Sequence, residues 1–398
     1  MKSDFVKPLL MWYNAAGRLL PWRQTRDPYA IWVSEIMLQQ TRVETVKDYY
    51  IRFLRELPDV YALAECPDER LLKLWEGLGY YSRVRNMKKA AVLITGEMQG
   101  QFPGDPAALR KLPGIGSYTA GAIASIAFQV PAAAVDGNVL RVFARMTALR
   151  ENILLPAVKR RAEEELTALL SDLKHEEAGE SGGLRIDGAG GSGNGRETDG
   201  YFEPGAFTQA MIELGALVCA PGPEPKCADC PVSGYCEAFR QGIAAELPVR
   251  IKNTARRVEQ RTVFLVRDGD AVAVTRRPEK GLLAGMYEFP NVSGCLSAEE
   301  AASYVARMGY EALRVRPLPR ARHLFSHVEW QLAGYEIQIG QSDRTDTVWI
   351  FAEPDEIRSR YAIPSAFSAY TDRIVNCDQI PVHLYHSNKE TDNAKGET

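Results

Sequence analysis

Leu112-Pro-Gly-Ile-Gly-Ser-Tyr-Thr-Ala120 is the stretch on which the reading of this 398-residue chain turns. Gly114 and Gly116 interrupt one helical pattern, and the small and apolar residues from Ser117 to Phe128 begin another, so the segment is a Gly-rich turn joining two helices. Glycines let the backbone pass close to a ligand, and the free amides of the second helix's first turn suit a phosphate. A plain tight connection between helices satisfies the same residues. About twenty positions on, Val135-Asp-Gly-Asn138 puts an acid at the start of a further helix, where Asp136 taken alone reads as an N-cap.

Outward from this hairpin, Pro8 to about Lys174 reads as helix after helix, with apolar residues three and four apart and short Pro/Gly breaks. Tyr29 to Tyr50, Leu71 to Tyr80, Ser117 to Phe128 and Val139 to Ala148 are the clearest cases. In Tyr29-Ala-Ile-Trp-Val-Ser-Glu-Ile-Met-Leu-Gln-Gln40, Glu35 falls on a largely apolar face. Desolvation there would raise its pKa toward a general acid's working range; a salt-bridged core glutamate is the other reading.

Ser171 to Glu203 breaks the pattern with nine glycines, eight acidic and three basic residues, the composition of a flexible acidic insertion. Beyond it Cys219, Cys227, Cys230 and Cys236 are spaced C-x7-C-x2-C-x5-C, while Cys66, Cys295 and Cys377 stand alone. Four thiolates so spaced can surround one centre, and a [4Fe–4S] cluster or a zinc ion satisfies the spacing equally; a chance cluster of buried free thiols is the third reading. After a basic connector containing Pro248 the period changes to two, as in Thr262 to Val266, Ala271 to Val274 and Tyr335 to Ile339, with a helical stretch from Ser297 to Met308. An α+β domain follows an all-α one.

The composition, 45% hydrophobic and 25% charged, excludes disorder as the dominant state. No apolar run reaches the roughly 18 residues of a spanning helix, and Met1 to Leu10 lacks the layout of a secretion signal. The expectation is a cytoplasmic monomer, away from membranes. The net charge of −3 argues against a polyanionic partner on its face. The insertion alone carries −5, however, which leaves +2 for the rest, and basic residues gather at Arg83, Arg85, Lys88, Lys89, Arg110 and Lys111 and at Arg250, Lys252, Arg256, Arg257 and Arg261.

The hairpin, the aspartate after it and the cysteine quartet together resemble the endonuclease III superfamily of DNA glycosylases. Within it, Trp32-Val-Ser-Glu-Ile-Met-Leu-Gln-Gln-Thr41, Trp75-Glu-Gly-Leu-Gly-Tyr-Tyr-Ser-Arg83, Val135-Asp-Gly-Asn-Val139 and Gln209-Ala-Met-Ile-Glu-Leu-Gly215 look like the adenine DNA glycosylase (MutY) family, over about residues 5 to 370. Two features depart from it: seven residues instead of six between the first two cysteines, and the acidic insertion. The resemblance implies an all-α helix-hairpin-helix glycosylase domain with an iron–sulfur cluster loop over 1–240, interrupted by the insertion at 171–203. A connector over 241–258, an α+β Nudix-like domain over 259–376 and a disordered tail over 377–398 would follow.

It also implies a reaction, hydrolytic removal of adenine mispaired with 8-oxoguanine (or guanine) in double-stranded DNA, leaving an abasic site. By resemblance Glu35 is the acid that protonates adenine, Asp136 stabilises the sugar cation, Asn138 orients Asp136 and Tyr118 assists the acid. Relatives that also cut the backbone carry a lysine where Tyr118 stands, so a monofunctional enzyme is expected. Arg18, Trp22, Leu38 and Glu213 would hold adenine; Gln40, Thr41, Leu78 and Tyr80 would probe the stack near 8-oxoguanine; Gly114 and Gly116 would meet the DNA backbone. Cys219, Cys227, Cys230 and Cys236 would hold a [4Fe–4S] cluster.

In the second domain Gly281-Leu-Leu-Ala-Gly-Met-Tyr-Glu-Phe-Pro290 resembles the start of the Nudix family, but the paired metal-binding glutamates are missing and Glu299 and Glu300 read as solvated helix residues. Phe325, Ser326 and His327, by themselves an unremarkable strand end, match a loop that reads 8-oxoguanine in the resembled family. Three rival functions remain open: a glycosylase and lyase for oxidised pyrimidines, a non-catalytic DNA-binding protein with a zinc site, and a Nudix hydrolase.

Overall fold

Asp27 caps the helix Pro28–Leu38 by accepting from the amides of Tyr29 (3.1 Å) and Ala30 (3.2 Å), with Pro28 at the first helical position. Every residue from Tyr29 to Met37 is buried, so this helix has no solvent face and runs through the interior of its unit. In the computed structural model, which describes residues 3–179, 202–251, 256–340 and 348–375, the chain divides into two units, Met1–Ala255 and Arg256–Thr398.

The first unit is all-α among its described residues, and two of its breaks fall where periodicity predicts continuous helix. The pattern from Tyr29 to Tyr50 is two helices, Pro28–Leu38 and Val43–Glu56, because Gln40 takes φ 58°, in the left-handed region. Leu71 to Tyr80 belongs to a helix only within Asp68–Leu74; Gly77, Gly79 and Tyr80 all have positive φ and turn the chain into Ser82–Glu97. Ser117–Phe128 follows the hairpin, and Gly137–Met146 starts at the Asp136 cap.

Pro156–Gly179 extends past Ser171, where the sequence turns acidic and Gly-rich, because Leu169, Leu170 and Leu173 continue its buried stripe. Residues 180–201, most of the predicted insertion, lie outside the described residues, as do Lys252, Cys377 and the predicted tail. Pro204–Leu217 then packs on Gly137–Met146. A Cβ on Gly215 would stand 2.6 Å from Asn138 Cβ and 3.0 Å from its carbonyl oxygen, so only glycine lets these two helices meet at the site.

The second unit is α+β. Seven strands form one mixed sheet: β1 Arg257–Asp268, β2 Ala271–Arg276, β3 Tyr287–Glu288, β4 Asn291–Ser293, β5 Ala312–Leu324, β6 Val328–Ile339 and β7 Ile350–Ala352. The main path runs β3-β2-β1-β6-β5, with β4 beside β1 and β7 beside β2. The β1–β6 pair is parallel and the others antiparallel. The helix Ala298–Arg307, capped by Ser297 and Glu300 in a capping box, covers part of one face through Ala301 and Val305. Trp330, Leu332, Phe367 and Tyr370 fill the core on the other.

Candidate active site

Glu35 is only 5% exposed within the buried helix, and Tyr118, one position into the helix after the hairpin, donates its hydroxyl to Glu35 Oε2 at 2.6 Å. Burial, the largest influence, and the negative charge of Asp136 push the Glu35 carboxyl up to about 7; the Tyr118 hydrogen bond and Arg23 pull the other way. Burial also raises the Tyr118 phenol, which stays protonated as the donor.

Asp136 is the N-cap of Gly137–Met146. It accepts from the amides of Asn138 (2.9 Å) and Val139 (2.7 Å) and from Asn138 Nδ2 (2.8 Å). Burial lifts its pKa, while these donors and Arg141 hold it back. The N-cap reading and the catalytic reading therefore describe one geometry. Of the two carboxyls, Glu35 is held by a single hydroxyl and Asp136 by three N–H groups, so Glu35 is the one suited to keep a proton near neutral pH.

Both groups open on a cleft of about 960 Å³ whose wall includes Arg18, Trp22, Leu38, Gln40, Thr41, Gly114, Gly116 and Asn138 from the predicted set. Gly114 has φ +79°, and a Cβ there would come within 2.7 Å of Asn86 Cβ. Trp22 lines the cleft yet is 5% exposed and meets Tyr50 edge-on at 5.4 Å, so it packs and lines at once.

Glu213 lies fully buried behind the cleft wall. Arg18 grips it through Nε (2.8 Å), Nη2 (2.7 Å) and its own backbone amide (2.9 Å), and Arg23 adds 2.8 Å from Nη2. Burial would raise this carboxyl, but the two guanidiniums win and hold it at about 2. Sequence reasoning did not single out Arg23, although it directly follows Trp22 in the cleft wall. Lys159 was also missed: its ammonium borders the cleft, hydrogen-bonded to Ser117 Oγ (3.2 Å) and paired with Glu163 (3.5 Å).

Arg83 is not a free phosphate contact. Its guanidinium donates to the carbonyls of Ile36 (2.6 Å), Met37 (3.2 Å), Gln39 (2.5 Å), Leu78 (3.1 Å) and Gly79 (3.3 Å), and lies over the rings of Trp75 and Tyr80. Burial lowers its pKa to about 10. The residue therefore ties the break at 39–42 to the turn at 77–80. In that turn Tyr80 is 45% exposed, but Leu78 is 5% exposed and packs inward, short of the wedge expected of it. Lys88 is likewise engaged, with Asp68, and Arg261 stands within β1, paired with Glu259 and stacked on Trp330, instead of in the connector.

The four clustered cysteines line one small pocket walled by Val142, Leu214 and Val232. No group of three His, Cys, Asp or Glu among the described residues converges as a single metal ion requires. Four thiols round one pocket are a donor set that suits a [4Fe–4S] cluster, and equally a tetrahedral zinc ion. Burial raises the Cys227 and Cys236 thiols, and Cys230 to about 11, so binding must displace their protons.

Two buried arginines join this chamber to the cleft. Arg145 donates to Cys219 Sγ (3.3 Å) and to the carbonyls of Ala220 (2.9 Å) and Leu247 (2.8 Å). Arg141 donates to the carbonyls of Cys219 (2.7 Å) and Gly215 (2.6 Å) and to Asn138 Oδ1 (2.9 Å), and Asn138 in turn holds Asp136. Sequence reasoning missed both, since their long-range partners lie 74 to 102 positions away.

In the second unit Phe325, Ser326 and His327 form the turn between β5 and β6, closed by Phe325 N to Val328 O at 2.8 Å. Phe325 packs edge-on against Trp330 and His323, so it anchors the turn, while Ser326 and His327 are exposed at its tip. Glu300 closes the capping box, which accounts for one of the two solvated glutamates.

The chain matches the HhH-GPD superfamily base excision DNA repair protein family over residues 33–169 and the NUDIX domain family over 262–373. It is 33% identical to an adenine DNA glycosylase of Mus musculus, over 85% of this chain and 72% of that one. To an adenine DNA glycosylase of Arabidopsis thaliana it is 35% identical, over 75% of this chain and 48% of that one, so it spans about half of that relative. Among solved structures it is similar to a thermostable thymine-DNA glycosylase, with TM-score 0.47 and 26% identity over 60% of this chain and 96% of that one. Among the described residues no helix is long and apolar enough to cross a membrane.

Proposed function

This chain belongs to the adenine DNA glycosylase family, enzymes of base excision repair that cleave N-glycosidic bonds, and on that premise we propose that its substrate is adenine paired with 8-oxoguanine or guanine in duplex DNA. The observation that carries the reading is the pairing of a buried, proton-holding Glu35 with a differently solvated Asp136 in one cleft. Removing an undamaged base requires its extrusion from the stack, an acid for the leaving base and an anion for the oxocarbenium-like sugar.

In this reading Glu35 protonates adenine at N7 and then helps activate water, with Tyr118 holding the carboxyl in place. Asp136, oriented by Asn138, stabilises or captures the sugar cation. Arg18, Trp22, Leu38 and Glu213 hold the flipped base; Glu213 acts through its grip on Arg18 and Arg23. Gln40, Thr41 and Tyr80 probe the stack, with Leu78 supporting them from beneath, and the amides beyond Gly114 and Gly116 bind a phosphate. Ser326 and His327 read 8-oxoguanine, with Phe325 as their anchor. Cys219, Cys227, Cys230 and Cys236 hold a [4Fe–4S] cluster, which when bound fixes the loop that carries Arg145's and Arg141's acceptors.

With a phenol at the hairpin position the enzyme is monofunctional, and Lys159 is occupied by Ser117 and Glu163. The test is a glycosylase assay on duplexes with adenine opposite 8-oxoguanine, guanine and thymine. Release from the first two and not the third, with strand scission only after alkali or heat, is expected. Release of thymine glycol instead, or efficient scission without treatment, would overturn the reading.

A further inference from the structure

One end of the β-sheet face that carries Phe264, Val266, Ile337 and Ile339 is covered by the helix Ala298–Arg307. The other end of that face, beside the 325–327 turn, is left uncovered, and it is polar. The strand register puts Arg322 of β5 opposite Gln331 of β6, and Gln331 opposite Gln260 of β1, so a guanidinium and two amides form one row across three strands. With Arg320, Ala333 and Arg261, which is paired with Glu259, they line a trough of about 320 Å³; the nearest carboxylate along β6 is Glu329, which accepts from Gln331 Nε2 at 3.3 Å.

The charge on this strand is one-sided. β5 carries Arg314, Arg316, Arg320 and Arg322 and no acidic residue over its 13 positions. Arg316 is neutralised by Glu336, but Arg320 and Arg322 have no hydrogen-bond or ion-pair partner among the described residues. Like charges two apart on a strand repel. An open sheet face lined by amides and unpaired guanidiniums is suited to an anion that runs along it.

We propose that this trough is a track for the phosphodiester backbone of DNA, with Arg320 and Arg322 each taking a phosphate. Two residues of strand span about 6.8 Å, a separation that two long guanidinium side chains can bring to successive phosphates of one strand. β5 leads from Arg322 through Leu324 directly into the turn that bears Ser326 and His327. A strand whose base is read at that tip would have its neighbouring phosphates over the trough. The proposal rests on the reading of the tip given above, but backbone binding is measured without any lesion.

The test is fluorescence anisotropy with the full chain and a labelled duplex, lesion-free in one arm and carrying adenine opposite 8-oxoguanine in the other, from 50 to 300 mM salt. Two phosphate contacts contribute about 1.8 to the slope of log K against log salt, at about 0.9 per contact. The Arg320→Ala/Arg322→Ala variant should lose about that much slope in both arms and keep the native single-turnover rate of adenine release at saturating protein. The Arg320→Lys/Arg322→Lys variant should restore the slope, which separates charge from folding. An unchanged slope in the alanine variant would overturn the proposal, as would a lost slope that lysine fails to restore. So would binding of a free nucleoside triphosphate that the alanine variant abolishes while DNA binding is untouched. Failure of the tip reading would show elsewhere, as adenine release indifferent to 8-oxoguanine with the slope loss intact.

Discussion

Tyr118 donates its hydroxyl to Glu35 at 2.6 Å, and this hydrogen bond acts against the burial that raises the Glu35 carboxyl to about 7. A donor to a carboxylate favours its ionised form. The phenol thus fixes the Glu35 carboxyl in place while partly offsetting the desolvation that keeps it protonated near neutral pH.

A pH profile follows. Glu35 must be protonated, so base release should fall as pH rises through about 7; Asp136 must be ionised, so release should also fall at acid pH. Tyr118→Phe removes the donor, and the basic limb should move to higher pH. Single-turnover rates across pH 5 to 9 check this, and a limb that stays fixed or moves down would contradict the assignment.

Glu35 also costs stability. Its folded pKa stands above its unfolded value, so the native state binds the proton more tightly and loses stability as pH rises from about 4.5 through about 7. The full cost above pH 7 is on the order of 3 kcal/mol, at about 1.4 kcal/mol per pH unit. Glu35→Gln should therefore be progressively more stable than the native protein as thermal unfolding is followed from pH 5 to pH 8. A stability difference independent of pH would show that the carboxyl is not desolvated in solution.

Arg83 tests the link between the two turns beside the cleft. Arg83→Met leaves the carbonyls of Gln39 and Leu78 without their shared donor; single-turnover base release should fall while duplex affinity is retained. Arg83→Lys should not rescue it, because a single ammonium cannot reach five carbonyls that a planar guanidinium spans. Rescue by lysine would reduce Arg83 to a charge.

The helices and the alternating strands were legible because periodicity reports which face of an element is buried. The two places where periodicity overran, 39–42 and 75–81, are the ones where Gln40 and Tyr80 take left-handed backbone. Apolar residues continue through the second break, where Leu78 and Tyr81 pack inward without belonging to a helix; the first, Gln39 to Arg42, is a short polar stretch between two helices. Glu35, Asp136 and Tyr118 could be named from motifs, but Arg23, Arg141 and Arg145 could not. Their roles come from partners tens to nearly two hundred positions away, Glu213, Cys219 and Leu247, and sequence spacing carries no record of those pairings.

The cysteine chamber predicts one more outcome. Cys230→Ser should remove the visible iron–sulfur absorption and, through the Cys219–Arg141–Asn138 chain of hydrogen bonds, loosen Asp136, so that base release falls together with resistance of the 219–236 segment to proteolysis. Full activity in a colourless variant would uncouple the chamber from the cleft.

The most direct test of the account is single-turnover adenine release from a duplex bearing adenine opposite 8-oxoguanine, comparing the native protein with Glu35→Gln. A positioned general acid contributes about 10²- to 10⁴-fold. The account predicts adenine release by the native chain and a loss of at least 10²-fold in the variant, with duplex affinity retained; release by Glu35→Gln within tenfold of native would contradict it.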